Sequence, residues 1–182
     1  MDCKNALVHS QDNFDQALEY LHHKGISAAG KKAGRETQAG LVSSYIHFGG
    51  KIGVLVEINC ETDFVARNDE FQTLVKDVAI QIAGASPPPL YVQRSDIPVD
   101  VTDKERTWAM AEVEQMGKPA AILEKIANGK VEKRLQELCL LDQPFIKDPQ
   151  LTVREMIAKQ IAKLGENIQV RRFTRYQLGT SA

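Results

Sequence analysis

A chain of 182 residues with 43% hydrophobic and 26% charged side chains is long enough to bury a core, and its composition is globular, neither disordered nor membrane-embedded. Lys and Arg together number 23 against 24 Asp and Glu, so no overall positive field draws the chain to nucleic acid, and such a role would need a local patch. The apolar runs are far shorter than a membrane span, the N-terminus MDCKNALVHSQD lacks the apolar core of a secretory signal, and the scattered Cys3, Cys60 and Cys139 read as reduced thiols, not a disulfide framework.

Two short helices are predicted first. One covers residues 3–9; after a Gln-Asp-Asn turn, Phe14, Ala17, Leu18 and Leu21 recur at i, i+3, i+4 and i+7, and Gly25 is expected to end that second helix. Helices of about ten residues are marginal alone in water, so this hairpin reads as an incomplete module, as if a helix preceded it. Residues 28–40, AAGKKAGRETQAG, mix glycine, alanine and basic charge without an apolar period and read as a linker.

Strands follow. Val42, Ile46 and Phe48 share one face of LVSSYIHF, and Ile52, Val54, Val56, Ile58 and Cys60 recur at every second position of KIGVLVEINC and so share one face there. Gly49 and Gly50 predict a tight hairpin between them. The second face, with Ser43, Lys51, Glu57, Asn59, Gln169 and Arg171, is expected to be exposed or covered by a partner.

The clearest helix carries Phe71, Leu74, Val75, Val78, Ala79 and Ile82 as one stripe and stops before Ser86-Pro-Pro-Pro. Thr102 with Glu105, and Thr152 with Glu155, have capping-box spacing and are expected to open two further helices. Between them Pro119 starts a helical region to about residue 141, with a break expected at Asn128-Gly129. The last strand, NIQVRRFTRYQL, loses its alternation between Val170 and Phe173, which predicts a bulge or an edge position. This order is not a βαβ rhythm; it predicts an α+β fold, a small antiparallel three-stranded sheet of the hairpin and the returning last strand, covered by helices.

Catalytic constellations are sparse. GISAAGKK resembles a phosphate-binding loop, but Lys32 stands where that loop needs a hydroxyl and the segment follows a helix, so it reads as a helix end running into the linker. His9, His22, His23 and His47 lack metal-ligand spacing, and neither a metal site nor a cofactor site is predicted. Cys60 ends a strand before a helix, where a thiol can be activated, yet it continues the face of Val56 and Ile58 and reads as a packed core thiol. Arg171, Arg172, Phe173, Arg175 and Tyr176 interleave base and ring as RNA-binding strands do, which keeps an RNA-binding domain as the alternative, although solvated arginines on a sheet edge fit one strand better.

The stretch CETDFVARNDEF leaves two readings open. Thr62 or Asp63 can cap a helix in which Phe64, seven residues before Phe71, joins the buried stripe. Alternatively Asn68 caps a second start, residues 63–66 form a separate turn, and Phe64 need not point inward.

The words MDCKNAL, KKAGRET, GGKIGVLVEINCETDFVARNDEFQ, LLDQPFIKD and IAKLGENIQVRRFTRYQLG, in this order, closely resemble the elongation factor Ts family, and the resemblance covers essentially the whole chain. It implies a guanine-nucleotide exchange factor for elongation factor Tu, in its GDP-bound and nucleotide-free forms, with no enzymatic chemistry, cofactor, membrane or nucleic acid of its own. In the family the Thr-Asp-Phe-Val turn disturbs the magnesium and phosphate site of Tu; Thr62, Asp63, Phe64 and Val65 match it. Leu164 and Gly165 match a contact to the same GTPase domain, and His47 a position that touches another domain of Tu. The resemblance divides the chain into an incomplete, UBA-like helical module (residues 1–25), a basic linker (26–39) and a core and dimerisation domain (40–182). Family members usually carry a further helix before Met-Asp-Cys-Lys, so weakened affinity for Tu is expected. One copy of the core unit, where long members have two half-cores, implies a homodimer, and the short form implies the bacterial cytoplasm or the plastid stroma.

Overall fold

The computed structural model describes residues 2–115 and 119–180. The chain divides into two compact units, one made of Met1–Ile80 with Arg154–Ala182 and the other of Gln81–Val153.

In the first unit, helix α1 (Asp2–His9) is followed by α2 (Phe14–Lys32), whose N-cap Asn13 accepts the Gln16 N–H at 3.1 Å. Helix α2 does not stop at Gly25 but runs on to Lys32, so the first residues expected in the linker are helical. Gly25 keeps a helical backbone because Ala28 and Ala29 favour propagation and the Lys32 ammonium donates to the Ile161 carbonyl at 3.3 Å, fastening the last turn. GISAAGKK, which resembles a phosphate loop in sequence, is therefore the helical last part of α2, ending with it at Lys32.

Strands β1 (Ala39–Ile46) and β2 (Ile52–Cys60) form the predicted hairpin, with Gly49 and Gly50 at positive φ. Strand β5 (Ile168–Gln177) pairs antiparallel with β2, and the sheet order is β1-β2-β5. The expected slip is a bulge: Ile58 faces Val170 and Glu57 faces Arg172, so Arg171 is the extra residue. Val54, Val56, Ile58, Cys60, Ile168 and Val170 line the covered face. Helices α4 (Asp69–Gly84) and α7 (Val153–Leu164) contribute Phe71, Leu74, Val75, Val78 and Ala79, and Met156, Ile157 and Ile161, to the buried set. A Lys163–Glu70 ion pair at 2.7 Å ties these two helices together.

The open face of the sheet differs from expectation. Ser43 pairs with Val56 and so lies on the covered side, whereas Val42 and Ile46 lie on the open side with Leu55. All three are at least half exposed, joined by Tyr176. The hairpin register puts the two strands' apolar alternations in opposite phase, which leaves an apolar stripe without cover.

In the second unit, helices α5 (Val99–Glu114) and α6 (Ala120–Leu138) pack as a pair around Val113, Ala127, Val131 and Leu135. Helix α5 starts from Pro98, a turn before Thr102, because the fixed φ of proline presets the first helical turn and its carbonyl accepts the N–H groups of Val101 and Thr102. Pro119 caps α6 as predicted, but α6 passes through Asn128-Gly129 unbroken, with the neighbouring Ala127 and Val131 buried against α5. A small hairpin of β3 (Pro144–Phe145) and β4 (Asp148–Thr152), not anticipated from sequence, completes the unit. Gln81 and Gln143, both buried, hold this region through their side-chain amides: Gln81 Nε2 donates to Gln143 Oε1 at 3.2 Å, and Gln143 Nε2 donates to the Glu137 carbonyl at 2.7 Å.

Candidate functional site

Strand β2 ends at Cys60, and the chain turns through Glu61 into a four-residue helix, α3 (Asp63–Ala66). Thr62 is its N-cap, with extended backbone and its hydroxyl accepting the Val65 N–H at 3.4 Å. Asn68 then begins α4 afresh: its carbonyl accepts the Gln72 N–H at 3.0 Å and its side chain accepts the Glu70 N–H at 2.8 Å. Of the two readings left open by the sequence, the structure therefore takes the separate turn.

That break decides where the side chains go. Val65 and Ala66 are buried, while Phe64 is 83% exposed and Asp63 is exposed beside it. An apolar ring held in water by an anchored turn is left for a partner to cover, and burial of a Phe is ordinarily worth about 1.5–3 kcal/mol. Val65, grouped with its neighbours from sequence, faces inward and anchors the turn.

A pair of carboxylates fixes the turn from both sides. The Glu166 carboxylate accepts the Glu61 N–H at 3.1 Å, the Thr62 N–H at 3.0 Å and the Thr62 hydroxyl at 2.6 Å. In return Glu61 Oε1 accepts the Asn167 N–H at 2.6 Å and the Arg35 guanidinium at 3.4 Å. Asn167, 1% exposed, donates its side-chain amide to the carbonyls of Ala33 and Arg35. Gly165 ends α7 at φ +81°, a left-handed conformation costly for other residues, and so turns Glu166 back toward Thr62. Leu164 and Gly165 are thereby brought to the same corner as Thr62 and Phe64.

His47 is not at this corner. It lies in the β1–β2 turn, where its Nδ1 and the Tyr45 hydroxyl are 3.2 Å apart, at the opposite end of β2 and roughly 30 Å from Thr62 by strand rise. Phe48 beside it is 98% exposed.

Cys60 is fully buried, and burial, reinforced by the nearby Glu166 charge, pushes its thiol up to about 11. It is a core thiol, donating to the Thr62 carbonyl at 3.2 Å, and not a thiolate nucleophile at neutral pH. In the basic strand, Arg172 pairs with Glu57 at 2.7 Å, and Phe173 faces Val56 on the covered side, which removes it as a stacking platform for bases. Among the described residues no group of three or more His, Cys, Asp or Glu is placed to hold a metal ion, and no helix is long and apolar enough to cross a membrane.

Sequence reasoning singled out Thr62, Phe64, Leu164 and Gly165 but not Glu61, Glu166, Asn167 or Arg35. Those residues stand inside the quoted words, yet nothing local reveals that the Glu166 side chain accepts backbone N–H groups from residues 104 and 105 positions away.

An α+β scaffold that directs the polar groups of one corner to holding a turn, and leaves a phenylalanine of that turn in solvent, defines a protein that acts by binding another. A family model described as "Elongation factor TS" matches residues 26–180. Among curated relatives, elongation factor Ts of Carboxydothermus hydrogenoformans is 52% identical over 179 residues, covering 98% of this chain and 82% of the relative. The same-named protein of Rippkaea orientalis is 58% identical, covering 98% and 72%, and that of Synechocystis sp. 56% identical, covering 98% and 82%. The chain belongs to the elongation factor Ts family, and with membership comes the family's general role of nucleotide exchange on elongation factor Tu, without chemistry of its own.

Proposed function

We propose that this chain promotes GDP release from elongation factor Tu by pressing the α3 turn into the neighbourhood of the bound Mg²⁺ and phosphates, with Phe64 as the wedge and Asp63 beside it. The observation that carries this reading is the 83% exposure of Phe64 on a turn anchored by Val65, Ala66 and Thr62. GTPases hold GDP largely through Mg²⁺ and phosphate-binding amides, so displacing that neighbourhood weakens the nucleotide without competing for its base. The factor then binds nucleotide-free Tu more tightly than the GDP form, and by reciprocity nucleotide rebinding expels it. No cofactor or metal of the chain's own enters this account.

Leu164 and Gly165, at the same corner, extend the contact to the GTPase domain, and His47, at the far end of β2, serves a separate contact. The proposed division of labour places a helical module in residues 1–25 ahead of a core domain in residues 40–182, with the connection between them helical as far as Lys32. The apolar open face of the sheet, with Val42, Ile46, Leu55 and Tyr176, fits a homodimer in which two copies cover each other's stripe. The bacterial and cyanobacterial relatives fit work in a bacterial cytoplasm or a plastid stroma.

The test is release of a fluorescent GDP from elongation factor Tu. Acceleration by the chain supports exchange, and its absence contradicts it. A concentration-independent monomer mass in sedimentation would remove the dimer.

A further inference from the structure

We infer that Glu166 is a positioning residue for the exchange turn: its carboxylate grips Thr62 and through it sets the direction in which Phe64 leaves the surface. The inference deepens, and rests on, the exchange reading above.

A four-residue helix cannot stabilise itself, because forming its first turn fixes several backbone torsions for a single hydrogen bond. Helix α3 must therefore be held from outside. Val65 and Ala66 are buried and hold its inner side. Its entrance is held by Glu166, which accepts two backbone N–H groups and one hydroxyl, charge-assisted bonds of the stronger kind. The Thr62 hydroxyl donates to Glu166 and accepts from the Val65 N–H, so one chain of bonds straddles Phe64. Glu166 is itself kept in place, since the next residue, Asn167, donates its N–H to Glu61 at 2.6 Å and its side chain to the Arg35 carbonyl at 2.8 Å. Remove the carboxylate and Phe64 is still present, but its turn is loose, and a wedge that has lost its direction loses force.

The test combines amide hydrogen exchange on the free protein with stopped-flow release of fluorescent GDP from elongation factor Tu. In Glu166→Ala the amides of residues 61–66 are expected to exchange faster while those of α4 do not. The maximal release rate is expected to fall about tenfold or more, with the half-saturating concentration kept within about twofold. In a Phe64→Ala background the same change should have almost no further effect on the rate, because both act on one wedge. Glu166→Gln, whose amide oxygen can accept the two N–H groups and whose NH₂ can donate to the Thr62 oxygen, should recover most of the rate. Should Glu166→Ala not fold, Thr62→Val, which removes only the hydroxyl link, is expected to give the same pattern more weakly.

Unchanged amide exchange at residues 61–66 would overturn the clamp whatever Tu does. A parent that accelerates release while Glu166→Ala matches it, or loses rate in full proportion on top of Phe64→Ala, would overturn the positioning role alone. A parent that fails to accelerate release would overturn the exchange reading, and the role of Glu166 in exchange with it.

Discussion

Phe64 and Phe71 lie seven residues apart, the spacing that puts two side chains on one face of a continuous helix, yet Phe71 is 0% exposed and Phe64 is 83% exposed. The difference comes from the short region between them. Asn68 caps a new helix start, Thr62 caps the old one, and the resulting break rotates Phe64 away from the stripe that Phe71 joins. In α4 the ring is placed by packing, as in any core; in α3 it is placed by hydrogen bonds from residues distant in sequence. The first arrangement serves stability and the second, on the proposed exchange reading, serves presentation, so the two rings should respond to mutation in opposite ways.

Phe71→Ala should produce the largest effect, about 3–5 kcal/mol of lost stability by denaturant unfolding, since it empties a fully buried site. The strand end just ahead of α3 carries Cys60, whose burial raises its thiol from 9.0 to about 11. A thiol with a raised folded pKa is held neutral, so its contribution is complete below pH 9 and is lost as pH rises through about 11. Stability should therefore fall between those values by on the order of 2 kcal/mol beyond a Cys60→Ser control, read from melts against pH. At pH 8 the exposed Cys3 should alkylate readily and Cys60 slowly. Asn68→Ala, which removes the cap that separates the two helices, should cost about 1 kcal/mol. Phe64→Ala should change stability least, by less than about 0.5 kcal/mol, because an exposed ring has little to lose.

What the sequence made legible was what repeats locally. The stripe of α4, the alternation of β2 and the slip that became the Arg171 bulge are patterns of spacing, and each is found where the spacing put it. Stops were read less well. Gly25 suggests a helix end and Asn128-Gly129 a break within a helix, but a glycine weakens a helix by only about 1 kcal/mol, and tertiary contacts at Lys32 and around Ala127 and Val131 outweigh it. The short hairpin of β3 and β4 has too few residues to show an alternation. At the site, spacing alone leaves the exposure of Phe64 open, and the break at Asn68 decides it. The Glu61–Glu166 clamp was not legible at all, because a bond across more than a hundred residues leaves no local trace.

The most direct test of the central claim is the release of fluorescent GDP from elongation factor Tu by the parent chain and by Phe64→Ala, at equal concentration and with equal melting temperatures confirmed. The account predicts acceleration by the parent and its loss in the variant with stability unchanged. Release by the variant at the parent's rate would contradict the claim that the exposed ring of α3 is the working part.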